Sequence, residues 1–117
     1  MVIDDDDLLR RTIAKMVSHR YDVTSMARAR EALDHLAEGA RYDAILCDLI
    51  MPGMDGMEFY AQLGQMLPEL ASRVVFVTGG AVTAAARNFL EMGSIRCLGK
   101  PFNAEQALEA LRAAAER

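Results

Sequence analysis

The sequence predicts an α/β fold, a doubly wound parallel sheet of five strands in the order 2-1-3-4-5 with helices on both faces. Three observations lead to this prediction. Short apolar runs alternate with segments of helical periodicity five times along the chain. The central run is followed at once by proline and glycine, as a buried strand that ends in a turn would be. The 117 residues suffice for one core, and no linker, low-complexity segment or repeat divides residues 1–117, so we expect a single domain.

The first two strand–helix units lie in residues 1–39. Val2-Ile3 predicts a first strand that is short for the centre of a sheet, and we therefore expect one or more residues before Met1 in the natural chain. Asp6 or Asp7 is expected to cap the first helix. The apolar positions of that helix are Leu9, Ile13, Met16 and Val17. Residues 21–25 predict the second strand. The second helix ends at Gly39, and its stripe consists of Ala29, Ala32, Leu33, Leu36 and Ala37.

The remaining three units follow the same scheme. Residues 44–48, 74–77 and 95–98 predict the third, fourth and fifth strands. Pro68 is expected to close the third helix, and Gly93 follows the fourth. The helical stripes are Phe59, Tyr60, Leu63, Met66 and Leu67, then Val82, Ala85, Ala86 and Phe89, and finally Ala104, Leu108, Leu111 and Ala115. Five such units in a chain of this length match the flavodoxin-like arrangement.

Composition excludes several classes of protein. No run approaches the ~20 apolar residues that cross a bilayer, and no secretory signal opens the chain, so we expect a soluble, cytoplasmic domain without membrane contact. The net charge of −4 and the absence of a basic cluster argue against nucleic-acid binding. Cys47 and Cys97 lack disulfide or metal-site spacing and are expected to be small buried hydrophobes. His19 and His35 are expected on solvated helix faces.

The polar residues that packing does not explain follow the predicted strands. They are the acidic run Asp4-Asp5-Asp6-Asp7, Asp48, Thr78 and Lys100. Because the carboxyl ends of parallel strands share one edge, these groups are expected to meet there. Several carboxylates at one place repel one another, and Mg²⁺, which prefers oxygen ligands, would offset this. A carboxylate nucleophile at Asp48, with a metal, a lysine and a hydroxyl, would form a phosphoryl-transfer site.

The same residues carry a family resemblance. The set Asp4-Asp5, Asp48, Thr78 and Lys100-Pro101-Phe102 resembles that of a response-regulator receiver domain, and the intervals agree from end to end. Residues 48–56 resemble the phosphorylation loop of that family almost residue for residue. The resemblance covers the whole chain and implies that Asp48 is the phosphoacceptor of two-component signal transduction.

The resemblance also implies a metal site. Asp5 would be a direct Mg²⁺ ligand with Asp4 as its outer-sphere partner, and Asp48 and the backbone carbonyl of Ile50 would complete the protein ligands. The run of four aspartates leaves this register open by one residue, and the helix that starts at Leu8 favours Asp4 and Asp5.

Two further roles follow from the resemblance. Thr78 resembles the switch hydroxyl that moves toward the phosphoryl group. Lys100 resembles the lysine that contacts this group, and its bond to Pro101 is often cis in the family.

The partners are implied in the same way. The phosphoryl donor would be a phosphohistidine on a histidine kinase or a histidine phosphotransfer protein. Residues 75–81 resemble receivers attached to hybrid sensor histidine kinases. Such a domain is a signalling module that assists its own phosphorylation and dephosphorylation rather than an enzyme.

The chain departs from the family pattern three positions before Lys100. The family usually has an aromatic residue there that rotates inward on activation, and this chain has Cys97. Signalling is then expected to use loop and helix shifts within residues 79–90, or the domain only relays phosphate. Ile50, two positions after Asp48, cannot orient an attacking water, so slow hydrolysis of the phosphoryl group is expected.

Each motif also has a purely structural interpretation. The acidic run could be a solvated helix cap, Thr78 could cap the fourth helix, and Lys100 could be an ordinary surface lysine. Two rival functions also exist, namely a flavodoxin-like domain that binds a flavin phosphate and a degenerate receiver that serves only as a docking surface. Against the first, four aspartates follow the first strand, where they would repel a phosphate.

Overall fold

The computed structural model describes residues 1–80 and 83–116. The strands are β1 (Val2–Ile3), β2 (Ser25–Met26), β3 (Ile45–Asp48), β4 (Val74–Thr78) and β5 (Arg96–Gly99). The helices are α1 (Asp7–Val17), α2 (Ala29–Ala37), α3 (Gly56–Met66), α4 (Pro68–Ala71), α5 (Ala84–Leu90) and α6 (Ala104–Ala115). The strands pair in parallel in the order β2-β1-β3-β4-β5, which confirms the predicted topology.

The alternation of side chains along the strands divides the core into two layers. Strand residues such as Ile3, Cys47 and Phe76 point to the face covered by α2, α3, α4 and α5. Their neighbours, such as Val2, Leu46 and Val77, point to the face covered by α1 and α6. Both faces of the sheet are therefore buried, which explains why the central strands are continuous apolar runs rather than alternating ones.

Side-chain caps define most helix starts. Asp6 caps α1 and accepts a hydrogen bond from the amide of Leu9 at 3.1 Å. Reciprocal capping boxes open α3 (Asp55 with Glu58) and α6 (Asn103 with Gln106). Such caps satisfy amide donors that the first helical turn leaves unpaired.

Several predicted boundaries are wrong. The second strand is not residues 21–25, since β2 consists of Ser25–Met26 only. Pro68 does not close the third helix, because α3 ends at Met66 and Pro68 occupies the first turn of the separate helix α4. Proline is tolerated at a helix start because its missing amide hydrogen would have no partner there.

Smaller shifts affect the third helical stripe and the later elements. Leu67 lies between α3 and α4 rather than in a helix. Strand β5 runs one residue later than predicted. Helix α5 starts at Ala84 with Thr83 as its cap, so Thr78 does not cap it, and Val82 lies outside the described residues.

Within residues 1–80 and 83–116, no helix combines the length and the apolar character that a membrane span requires.

Candidate functional site

The carboxyl edge of the sheet positions the candidate residues. Asp4 follows β1 directly, Asp48 is the last residue of β3, Thr78 is the last residue of β4, and Lys100 follows β5. The strand register keeps these ends level, because Asp48 pairs with Val77 and Thr78 with Gly99. Residues from four separate parts of the chain therefore lie at one edge, as the parallel topology requires.

Three carboxylates meet at this edge. Asp4, Asp5 and Asp48 each offer an oxygen, and these oxygens lie within 4.8 Å of one another. Asp4 is 1% exposed, Asp48 is partly exposed and Asp5 is exposed, so the cluster opens toward solvent on one side. The structure thus brings Asp4 and Asp5, rather than the later members of the acidic run, next to Asp48.

The buried carboxylate of Asp4 is only half satisfied. Its Oδ1 accepts a hydrogen bond from the amide of Asp6 at 2.9 Å. Its Oδ2 is buried and has no hydrogen-bond partner among the described residues. A buried, unpaired carboxylate oxygen is costly, and a cation among the three carboxylates would satisfy it. Oxygen donors of this kind suit a hard divalent ion, so these residues fit Mg²⁺.

The same cluster shifts the acidity of its members. Burial, reinforced by the nearby charge of Asp4, raises the pKa of Asp48 to about 6, although Lys100 and the amide of Ile50 oppose the shift. Burial also raises the pKa of Asp4. Both shifts express the cost of concentrating negative charge in a partly buried site without a counter-ion.

Lys100 is held at the site by its own backbone and by Gly79. Its amide donates to the carbonyl of Thr78 at 2.7 Å, and its bond to Pro101 is cis. A β-carbon at residue 79 would lie 2.9 Å from Lys100 Cδ and 3.1 Å from Lys100 Cβ, so the lysine stem packs directly over Gly79. The positive charge of the ammonium group opposes the rise that burial causes in the pKa of both Asp48 and Asp4.

The loop after β3 contacts Asp48 through the backbone of Ile50. The amide of Ile50 donates to Asp48 Oδ1 at 3.4 Å, and Ile50 itself is 49% exposed. The loop returns to the core at Gly56, whose amide donates to the carbonyl of Leu49 at 2.9 Å. A β-carbon on Gly56 would lie 2.9 Å from the carbonyl oxygen of Asp48, so only glycine allows this close approach.

The structure corrects the expectations for three isolated residues. Cys97 is exposed rather than buried, because it lies on the edge strand β5, whereas Cys47 is buried as predicted. His35 is not a solvated histidine, since its Nε2 lies 2.7 Å from the hydroxyl of Tyr42 and the pair is partly buried. His19 lies in the turn after α1 rather than on the helix.

Sequence reasoning missed Arg10. Its guanidinium donates to the carbonyl of Asp4 at 2.8 Å and to the carboxylate of Asp7 at 2.5 Å. The i, i+3 spacing of Asp7 and Arg10 was a visible signal for the ion pair. The contact with the Asp4 backbone left no trace in the sequence.

Comparison with known proteins agrees with this geometry. The family described as response regulator receiver domain matches residues 1–112, and the chain belongs to that family. It therefore represents a receiver domain of two-component signal transduction, a class of signalling domain.

Individual relatives differ in size and domain content. The chain is 33% identical to the response regulator MprA of Mycolicibacterium vanbaalenii over 118 residues, which cover 100% of this chain and 50% of that protein. It is 32% identical to the sensor kinase CckA of Brucella abortus over 108 residues, 91% of this chain and 11% of the kinase. The chemotaxis protein CheY of Listeria monocytogenes is 28% identical and covered over 98% of its length. The chain thus spans from about a tenth to about half of the first relatives, and nearly all of CheY.

Solved structures show the same fold. A response regulator receiver domain protein from Clostridium thermocellum superposes with a TM-score of 0.86 at 24% identity, over 99% of this chain and 92% of the other. A structure described as adenylate cyclase from Rhodopirellula baltica superposes with a TM-score of 0.85 at 26% identity, over 98% of this chain and 84% of the other.

Proposed function

We propose that Asp48 accepts a phosphoryl group from a phosphohistidine in a Mg²⁺-dependent reaction, and that residues 1–117 form a single receiver domain. The observation that carries this proposal is the convergence of carboxylate oxygens of Asp4, Asp5 and Asp48 within 4.8 Å, at the edge where Thr78 ends β4 and Lys100 follows β5. Membership of the receiver family sets the flavin-binding alternative aside.

In this reaction, a carboxylate oxygen of Asp48 attacks phosphorus as the bond from phosphorus to the donor histidine nitrogen breaks. The electron pair of that bond returns to the imidazole, which takes up a proton, and the product is an aspartyl phosphate. Asp48 must be ionised to attack. Lys100 favours this form and would also pair with the transferred oxygens, while the Thr78 hydroxyl can donate to one of them.

The cation would be held by the carboxylates of Asp4, Asp5 and Asp48 and by the backbone carbonyl of Ile50. When bound there, Mg²⁺ would supply positive charge that neutralises the phosphoryl oxygens. The unpartnered Oδ2 of Asp4 supports this assignment, because it is a buried acceptor that no described protein group satisfies.

The decisive experiment is phosphorylation by a small phosphoryl donor with Mg²⁺, read by intact mass. We expect one added phosphoryl group in the natural chain and none in Asp48→Asn. Asp55→Asn is the matched control, since Asp55 lies in the same loop and asparagine also caps helices well. Phosphorylation of Asp48→Asn would contradict the assignment of Asp48 as the acceptor. Absence of phosphorylation from the natural chain would contradict the proposal as a whole and would favour a degenerate receiver that serves only as a docking surface.

The donor and the parent protein form a second part of the proposal. We propose a histidine kinase or a histidine phosphotransfer protein as the donor, with the domain acting in the cytoplasm as the receiver of a hybrid sensor histidine kinase. The likeness to CckA, a sensor kinase, supports this, although MprA is described as a response regulator. Transfer from phosphorylated candidate proteins to this chain, with Asp48→Asn as the blank, would test the donor.

The lifetime of the phosphoryl group follows from Ile50. An exposed apolar side chain beside Asp48 offers no group to orient water, so the aspartyl phosphate should hydrolyse slowly. Ile50→Asn should shorten its lifetime, and an unchanged decay rate would contradict this part of the proposal.

A further inference from the structure

The four consecutive aspartates have four different environments. Asp4 is buried and Asp5 is exposed, and both face Asp48. Asp6 caps α1 through its side chain. Asp7 is exposed and pairs with Arg10. Only two of the four carboxylates therefore belong to the cluster at Asp48, and the other two help to start the helix that follows it.

The Arg10 side chain links the first and last residues of the acidic run, Asp4 and Asp7. One guanidinium nitrogen donates to the Asp4 carbonyl at 2.8 Å, and the other reaches Asp7 at 2.5 Å. The Arg10 side chain is 15% exposed, so it is largely packed into the protein rather than free in solvent. The planar fork of arginine suits two simultaneous bonds, and a lysine could not reproduce both in this geometry.

The Asp4 carbonyl lies beyond the end of β1, where strand pairing no longer supplies it with a hydrogen-bond donor. The Asp4 amide still donates to the carbonyl of Met26 at 3.1 Å, but β1 and β2 end at Ile3 and Met26. Among the described residues, the hydrogen bond from Arg10 is the one that the structure gives to the Asp4 carbonyl. The same residue carries the half-satisfied carboxylate, so fixing its backbone fixes the point from which that carboxylate extends, while the Asp6 amide holds its Oδ1.

We infer that Arg10 is a positioning residue that sets the affinity of the Asp4–Asp5–Asp48 cluster for a divalent cation by tethering the Asp4 backbone. This inference rests on the proposed Mg²⁺ site. Asp7 acts as the counter-ion of Arg10 and is not a ligand. Because Arg10 is paired with Asp7, its positive charge can lie close to the cluster without offsetting much of the negative charge of the cluster.

When Arg10 is removed, the loss of its charge and the loss of its tether predict opposite changes in the affinity for the cation. Loss of a positive charge, and the unpaired Asp7 that it leaves, would both make the site more negative and tighten cation binding. Loss of the tether would loosen it, because groups that orient metal ligands are worth about 10-fold or more in affinity. The direction of the change therefore identifies the role.

The test is a calorimetric Mg²⁺ titration of the natural chain, Arg10→Ala, Arg10→Lys and Arg11→Ala. We expect Arg10→Ala to bind Mg²⁺ about 10-fold more weakly. Arg10→Lys should also be weaker, although its charge is unchanged. Arg11 is exposed on the same turn of α1. Its replacement by alanine should leave the affinity unchanged or slightly tighter, which measures the effect of charge alone.

Phosphorylation provides a second readout. Because the tether acts on cation affinity, the Mg²⁺ concentration for half-maximal phosphorylation of Arg10→Ala should rise by the same factor, while its yield at saturating Mg²⁺ stays at the natural level. If Arg10→Ala does not fold, Arg10→Lys decides the question by the same measurements.

Two results have distinct meanings. Binding by Arg10→Ala that is as tight as, or tighter than, that of the natural chain would overturn the role of Arg10 and leave the proposed function intact. A natural chain that binds no Mg²⁺ would instead overturn the metal site itself.

Discussion

The side chain of Lys100 packs over the α-carbon of Gly79, so closely that a β-carbon at residue 79 would lie 2.9 Å from Lys100 Cδ. Gly79 follows Thr78 at the end of β4, and Lys100 follows Gly99 at the end of β5. Because the contact includes Lys100 Cβ at 3.1 Å, a larger residue would displace the lysine from its root and not only at its flexible end. The direction of the ammonium group thus depends on the absence of a side chain at Gly79, the residue just after the neighbouring strand β4.

We therefore expect Gly79→Ala to slow phosphorylation of Asp48 about 10-fold, the effect of ~1.4 kcal/mol on the barrier, with a smaller effect on stability. The rate would be followed by intact mass with a small phosphoryl donor. Gly93→Ala is the control, since a β-carbon there meets no atom of the described residues within 4 Å. A natural rate in Gly79→Ala would show that the lysine adapts without loss.

Two glycines of α3 should respond oppositely to alanine. At Gly56 the added carbon would lie 2.9 Å from backbone atoms of both Asp48 and Leu49, which cannot yield without moving the loop. We expect Gly56→Ala to lower the free energy of unfolding by ~1–3 kcal/mol. At Gly64 no atom in the described part of the chain lies within 4 Å of the added carbon, so Gly64→Ala should raise the free energy of unfolding by ~0.5–1 kcal/mol through helix propensity. Urea unfolding would compare the two, and equal effects would contradict the packing at Gly56.

The raised pKa of Asp48 makes a prediction for the metal-free protein. Its folded pKa of about 6 lies above the ordinary value of 3.8, so the folded state binds more protons between these values. The free energy of unfolding should therefore fall as pH rises from about 4 to about 6. Asp48→Asn removes this cost and should be more stable near pH 7.5, but not near pH 4. Because Asp48 is partly exposed and screened by solvent, we expect a gain of only ~1 kcal/mol.

Urea unfolding with a chelator at the two pH values would measure the gain. A stability difference between Asp48→Asn and the natural chain that is the same at both pH values would show that the charge of Asp48 is not its cause.

The two cysteines should differ in reactivity. Cys47 is buried beneath Asp48, and burial raises the pKa of its thiol well above the usual value. Cys97 is exposed on β5. Because the thiolate is the reactive form, an alkylating reagent at about pH 8 should add one equivalent to the folded protein and two after denaturation. Cys97→Ser should then take up none while folded, and labelling of that variant would contradict the burial of Cys47.

Three aromatic rings connect β4 with the helices beside it. Phe76 lies 5.2 Å from Phe89 of α5 and 5.8 Å from Tyr60 of α3, and Tyr60 lies 5.5 Å from Phe89, measured between ring centroids. Phe76 also pairs in register with Cys97, the position on β5 where the family usually has an aromatic residue. In this chain the aromatic side chain therefore lies on the neighbouring strand, β4. We expect this cluster to link the site to α5.

Phe89→Leu should accordingly reduce the amide chemical-shift changes in α5 on phosphorylation while the phosphorylation yield is retained. Cys97→Ala is the matched control and should leave the response unchanged. A full α5 response in Phe89→Leu, or none in the natural chain, would remove the aromatic cluster from the signalling route.

The elements that the sequence predicted well are those with strong periodic signals. The apolar run before Asp48 and the stripe through Leu33 and Leu36 specify β3 and α2, because each pattern buries only in one kind of element. Strand β2 was misplaced, since a two-residue pairing leaves little pattern to detect. Pro68 was ambiguous for a physical reason, because proline suits both the residue after one helix and the first turn of the next.

The sequence by itself determined the order of the strands and the candidate residues Asp4, Asp48, Thr78 and Lys100, because a parallel sheet brings all strand ends to one edge. Only the tertiary structure decided that the register Asp4 and Asp5, which the helix start favoured, is the one that faces Asp48. It also showed that an Asp4 oxygen is buried without a partner among the described residues, and that Arg10 holds the Asp4 backbone. Burial and distances through space depend on how elements remote in sequence pack together. The hydrogen bond to the Asp4 carbonyl could not be predicted either, because every residue carries the same backbone carbonyl.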